Sequence, residues 1–195
     1  GRTDNSFLLM EEALQSFGLS PEKKTILVTG GSLGARSVNE AIALHITDFE
    51  KNNLQLIWQT GKLFVNQAKE LTHGKENIWT NDFIGSMENA FAASDVVISR
   101  SGAMSVAELC VAKQAVIFVP FPFAAEDHQS VNAGRLAEKQ AALVVKDSEA
   151  KTILTERAIA LALNDIERQQ LKTNIGKLAA TDADKMIAQE ILKTI

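Results

Sequence analysis

The 195-residue chain has a single cysteine, no cluster of Lys and Arg, no run apolar enough to span a bilayer, and no internal repeat or low-complexity segment. Each absence removes a class. Cys110 alone cannot close an internal disulfide, so a reducing compartment is expected, and its place on an apolar helix face reads as a small buried hydrophobe. A formal net charge of −4 argues against a general nucleic-acid binder. Without a long apolar run there is no candidate transmembrane helix. No secretory signal is read at the start, and Gly1-Arg2-Thr3-Asp4 reads as the cut end of something longer. His128 has no second His or Cys at ligand spacing, so no metal is expected, and His45 and His73 suggest no function. What remains, 46% hydrophobic and 23% charged, is ordinary for a globular domain, and the length fits one large domain or a domain with a helical appendage.

What is present is an alternation. An amphipathic helix over about 7–17, closed by Gly18 and then Pro21, precedes strands expected over 25–29, 55–59, 77–84, 96–99, 115–120 and 142–146. Helical patterns fall between them, over 35–46, 63–71, 87–93, 105–112 and 129–138. Several strands are rich in Val and Ile with little polar alternation, as suits a sheet covered on both faces. From Ser148 onward only helical pattern is found, divided into three helices by N-caps expected at Asp165 and Thr181-Asp182. Alternating β and α units imply an α/β, Rossmann-like three-layer domain whose six-stranded parallel sheet has the order 3-2-1-4-5-6.

Two loops then become neighbours. Gly30-Gly31-Ser32-Leu33-Gly34-Ala35 follows strand 1, and Arg100-Ser101-Gly102-Ala103-Met104-Ser105 follows strand 4. Both flank the switch point where open α/β sheets bind ligands. Each is a small-residue turn running into a helix, whose unpaired N–H groups and dipole favour phosphate. Two such loops suggest a diphosphate. The first loop lacks the spacing of a dinucleotide fingerprint, and strand 2 ends Ile57-Trp58-Gln59-Thr60-Gly61 without an acid, which disfavours NAD. Ligand contact or plain turn geometry both remain open for it. In the second, Gly102 is expected to allow unusual torsions and Ala103 to leave room at the helix entrance. Glu108, three beyond Ser105, shares a helix face with it and suits ribose hydroxyls, or is a solvated dipole residue. Arg100 either offsets phosphate charge or is a surface residue. After strand 5, Asp127, His128 and Gln129 offer donors and acceptors for sugar hydroxyls, with Asp127 alternatively a helix cap. The segment Asn81-Asp82-Phe83-Ile84-Gly85 offers only backbone groups to a base.

The runs GGSLGAR, DFIGSMENAFAASDVVISRSGAMSVAEL and VPFPFAAEDHQSVNA together resemble the carboxyl-terminal, donor-binding domain of the MurG family, within glycosyltransferase family 28. The resemblance runs from about Arg2 to the end and is strongest over 26–133. It implies one half of a GT-B fold over 1–195, with about 148–195 a helical extension and the amino-terminal acceptor domain absent. It further implies transfer of N-acetylglucosamine from UDP-GlcNAc, a substrate rather than a cofactor, to lipid I. On the resemblance Phe83 and Ile84 meet uracil, Ala103, Met104 and Ser105 the diphosphate, and Glu108 the ribose. Arg2 approaches the diphosphate, Ser32 lies near phosphate or sugar, and Asp127, His128 and Gln129 face the sugar. No catalytic residue is expected in this chain, because the general base, the lipid site and the membrane contact belong to the absent half. The intact enzyme is expected on the cytoplasmic face of the bacterial inner membrane, and this fragment is expected to be soluble and inactive. Phe123 stands where a polar residue, commonly His, is expected. Rival readings are another GT-B UDP-sugar transferase, such as a diacylglycerol galactosyltransferase, and a non-catalytic nucleotide-binding module.

Overall fold

The computed structural model describes residues 4–30, 35–123 and 128–179. Helix α1 (Asp4–Ser16) leads into β1 (Thr25–Thr29), α2 (Arg36–Leu44), α3 (Ile46–Lys51), β2 (Gln55–Gln59), α4 (Val65–Thr72) and β3 (Ile78–Asn81). The second half runs α5 (Met87–Ala93), β4 (Val96–Ser99), α6 (Ala103–Val111), β5 (Val116–Phe118), α7 (His128–Glu138) and β6 (Leu143–Val144). A 3₁₀ turn (Asp147–Glu149), a π-helical turn (Ala150–Leu154), α8 (Thr155–Ala162) and α9 (Asp165–Leu178) follow.

The six strands form one parallel sheet in the expected order, β3-β2-β1-β4-β5-β6. Side chains alternate across it with period two. Ile26, Val28, Leu56, Trp58, Val96 and Ile98 enter one core with α2, α3, α4 and α8. Leu27, Ile57, Val97, Val116 and Phe118 enter the other, against α1, α5, α6 and α7. Cys110 is buried in that second core. Apolar residues on both sides of each strand are what a doubly covered sheet needs, so the expected three layers are present. Among the described residues no helix is long and apolar enough to cross a membrane.

The differences from expectation have local causes. The single helix over 35–46 breaks at His45 (φ −114°, ψ 25°), and a further turn, α3, continues to Lys51. The strand over 77–84 is only four residues long, and the carbonyls of Asn81 and Asp82 make the last bonds to the neighbouring segment, accepting from the Thr60 and Gly61 N–H groups at 3.0 Å. Asp165 is not the cap of α9. Asn164 is, its Oδ1 accepting from the Glu167 N–H at 3.0 Å. Asp165 instead pairs with Arg168, whose hydrogen bond holds the carboxyl below its ordinary value. Arg168 is buried and donates to the carbonyls of Leu161 and Ala162, closing the end of α8. The expected cap at Thr181-Asp182 lies outside the described residues.

Glu40 on α2 binds Arg36 at 2.9 Å and Lys151 of the π-helical turn at 3.0 Å. The Arg36 hydrogen bond, then Lys151, keeps its carboxyl below the ordinary range. A lowered carboxylate stabilises above its unfolded value and loses that contribution as pH falls through the folded one. This cross-link therefore weakens only in acid.

Between α2 and the end of β2 lies a buried polar triad. Trp58 Nε1 donates to Asn39 Oδ1 at 2.9 Å, and Asn39 Nδ2 donates to the Thr60 carbonyl at 2.8 Å. It joins α2 to the end of β2. Asn39→Leu should leave the indole donor and the Thr60 carbonyl unpaired and destabilise the domain by about 2–3 kcal/mol in urea unfolding. A loss within experimental error would show that the triad contributes nothing.

Candidate functional site

Thr29 pairs with Ser99, so the loops after β1 and β4 leave the sheet side by side. The strand order reverses between them, which opens a crevice. Helix α6 begins at Ala103, two residues earlier than expected, with Gly102 as N-cap. The first paired amide is that of Val106, donating to the Gly102 carbonyl at 3.0 Å. The N–H groups of Ala103, Met104 and Ser105 therefore have no intrahelical partner. Gly102 itself is in ordinary extended backbone (φ −63°, ψ 154°), contrary to the unusual torsion expected. A Cβ there would meet Gln129 Nε2 at an ordinary 3.8 Å. Neither torsion nor internal packing demands glycine at this position.

Gln129 organises this corner. Its Oε1 accepts from the backbone N–H of Ser101 at 3.2 Å and of Phe121 at 2.9 Å. Two backbone donors fix the amide orientation, since only the oxygen can accept both. Ser101 Oγ returns a bond to the Gln129 carbonyl at 2.8 Å, and Asn132 Nδ2 binds the Ser101 carbonyl at 3.0 Å. The residue expected at the sugar is thus first a tie between the β4 and β5 loops, with Nε2 beside Gly102.

Arg100 is neither a free counter-charge nor a surface residue. Its Nη1 lies 2.5 Å from Asp147 Oδ1 and binds the Val119 carbonyl at 3.2 Å. Nη2 binds Ser37 Oγ at 3.0 Å, and Ser37 also donates to Asp147. The guanidinium carbon sits 5.3 Å from the Phe121 ring centroid. One side chain clamps α2, the β4 and β5 loops and the 3₁₀ turn together.

Along α6, Met104, Glu108 and Val111 follow at helical spacing and face Met87, Glu88 and Phe91 of α5 across a groove of about 530 Å³. Glu108 is exposed on it, and Ser105 lies one turn before it on the same helix. Met87, Glu88 and Phe91 had no place in the sequence reading. Their signal was available: Met87 and Phe91, four apart, share a stripe on a helix that buries Ala90 and Ala93. Before α5, Ile84 is 2% exposed and packed in the second core, while Phe83 is 59% exposed. Only the backbone of Ile84 is left to meet a ligand. His128 opens α7. Arg2, Ser32 and Asp127 lie outside the described residues. No group of three or more His, Cys, Asp or Glu is placed to hold a metal ion among the described residues.

The fold and the crevice define a Rossmann-like α/β domain of the kind that forms half of a GT-B glycosyltransferase. Residues 25–191 match the glycosyltransferase family 28 C-terminal domain, and the chain belongs to that family. It is 46% identical over 185 residues (93% of this chain, 50% of the relative) to the UDP-N-acetylglucosamine–N-acetylmuramyl-(pentapeptide) pyrophosphoryl-undecaprenol N-acetylglucosamine transferase of Bacteroides thetaiotaomicron. The enzyme of the same name from Flavobacterium psychrophilum is 43% identical over 184 residues, covering 94% of this chain and 50% of that one. Among solved structures it resembles MurG of Acinetobacter baumannii with a TM-score of 0.67 and 28% identity, covering 93% of this chain and 53% of that one. A glycosyltransferase from Rickettsia africae shares the fold with a TM-score of 0.70 at 12% identity, covering 100% of this chain and 52% of that one. The chain spans about half the length of the curated relatives it matches.

Gln129→Ala should cost about 1–3 kcal/mol in urea unfolding, because two backbone donors lose their acceptor. Gln129→Glu, which keeps an acceptor oxygen, should recover most of that stability. Equal losses in both variants would contradict the tie.

Proposed function

We propose that the chain is the donor-binding half of an inverting glycosyltransferase that moves N-acetylglucosamine from UDP-GlcNAc to lipid I, giving lipid II for peptidoglycan. One observation carries this: the three amide donors that begin α6 and the groove holding Glu108 lie on the same helix at the switch point. Amides at a helix N-terminus suit a diphosphate, and a carboxylate one turn on suits the paired hydroxyls of a ribose. The relatives are named for this donor sugar and for a pyrophosphoryl-undecaprenol acceptor, which supports the reading.

On this reading Ile84 meets uracil through its backbone with Phe83 beside it, and Glu108 accepts from the ribose. Ala103, Met104 and Ser105 hold the diphosphate, approached by Arg2. Ser32 lies near phosphate or sugar, and Asp127, His128 and the Nε2 of Gln129 face the sugar hydroxyls. A base in the other half of the full-length protein takes the proton of the acceptor hydroxyl, whose oxygen attacks the anomeric carbon. The bond from that carbon to the β-phosphate oxygen breaks, and UDP leaves with the electron pair. The α6 donors stabilise the charge where it develops, and losing one such donor raises a barrier by about 3 kcal/mol. The reaction needs neither metal nor cofactor. Residues 1–195 form the donor domain, and the lipid acceptor and the cytoplasmic membrane face are reached through the other half. The chain alone binds donor without making lipid II.

Calorimetric titration of this chain with UDP, UDP-GlcNAc, UDP-glucose and NAD tests the reading. Weak UDP binding is expected, and a preference for NAD would overturn it. Glu108→Ala should weaken UDP by roughly fivefold to tenfold, about 1–1.4 kcal/mol. It should leave a 2′,3′-dideoxyuridine diphosphate unaffected. Equal losses for both nucleotides would remove Glu108 from the ribose.

A further inference from the structure

Resting on that donor reading, we infer that the Phe123 ring is the platform against which the donor's pyranose stacks, a specificity-determining contact made by an aromatic face. At 83% exposure it is the most open aromatic side chain among the described residues. It is nevertheless braced. Its ring meets Phe121 edge-on at 5.7 Å and 74°, and the Phe121 ring packs with the Arg100 guanidinium. Arg100 is in turn fixed by Asp147 and Ser37. The stack therefore hangs on the clamp that joins four segments of the fold. A ring left in water gives up the stabilisation that burial would bring, and a ring held in place has already lost part of its freedom before any ligand arrives.

Its location points to the sugar. The Phe121 N–H and the Ser101 N–H share Gln129 Oε1, and Ser101 adjoins the N-cap of α6. A diphosphate held on the α6 amides carries its sugar on the outer phosphate, away from the Glu108 end of the groove. The Phe123 ring follows two residues after the Phe121 N–H that is tied to this helix entrance. A pyranose presents C–H groups on its ring faces, which the negative face of an aromatic ring attracts. Hydrogen bonds read the sugar's rim, and a ring plate reads the shape of its face. Nothing else among the described residues of the β5 loop offers such a plate: Pro122 has no π face, and Phe121 is occupied on its own ring by Arg100.

The test compares UDP with UDP-GlcNAc by calorimetric titration of the whole chain and of Phe123→Leu and Phe123→Trp. Leucine keeps apolar bulk without a ring, and an exposed position tolerates both changes. In Phe123→Leu the advantage of UDP-GlcNAc over UDP should fall by roughly threefold to tenfold while UDP affinity holds. Phe123→Trp should retain the advantage. With UDP binding intact, an unchanged ratio in Phe123→Leu overturns the platform, as does a wild-type chain that binds UDP-GlcNAc no better than UDP. Either result leaves the donor reading standing. Failure of UDP to bind at all overturns the donor reading and this inference with it.

Discussion

The pairing of β1 with β4 is the constraint on which the site depends. Strand order reverses at that one interface, and the register sets Thr29 opposite Ser99. Two loops distant in sequence therefore leave the sheet at the same level. A slip of one residue would turn Val97 towards the wrong core and shift the end of β4 relative to that of β1. The hydrophobic alternation of both strands forbids that slip. Core packing thus places the crevice.

The crevice is then held open by polar ties rather than by apolar contact. Loops at the carboxyl edge have backbone groups that neither the sheet nor a helix can pair. Gln129 answers two of these donors, and Arg100 answers the carbonyls of Val119 and Pro120. Bringing a guanidinium out of water is costly unless it is paired, and Asp147 supplies the partner. That contact explains why the segment after β6 must turn as it does. The 3₁₀ turn brings Asp147 to Arg100, and the following π-helical turn lets Lys151 reach Glu40. The helical extension is stitched to the same loops that form the site.

Much of this was legible beforehand, for reasons that differ by element. Strands such as 25–29 and 96–99 are buried except for Thr29, and their apolar content declared them. The strand order followed from counting alternating units, and with it the meeting of the two loops. The ends were harder. Asn164 and Asp165 are both good capping residues, and only the position of Arg168 decides which carboxyl or amide is free to cap. Gln129 read as a ligand group, and Arg100 as either a counter-charge or a surface residue, because a sequence shows donors and acceptors but not the backbone groups that claim them. Gly102 read as a torsional need, though its torsions are ordinary. The α5 wall of the groove escaped notice because Met87 and Phe91 look like any core stripe until the helix is seen to bury its alanines instead.

On the proposed reading, this division of labour bears on why half a protein can bind and only the whole can catalyse. Amide donors facing an open crevice compete with water, so they contribute modestly to holding a diphosphate. The same donors in a closed cleft act in a low dielectric and need no reorganisation as charge builds on the leaving phosphate. Nothing about α6 has to change between the two settings. Covering it changes the worth of each contact, which is why rigidity matters more here than reach. The ties through Gln129 and Arg100 supply that rigidity, and they do so without presenting a charged group of their own to the ligand. Neutral amides fixed at a helix entrance can respond most strongly to the charge that appears only as the bond breaks.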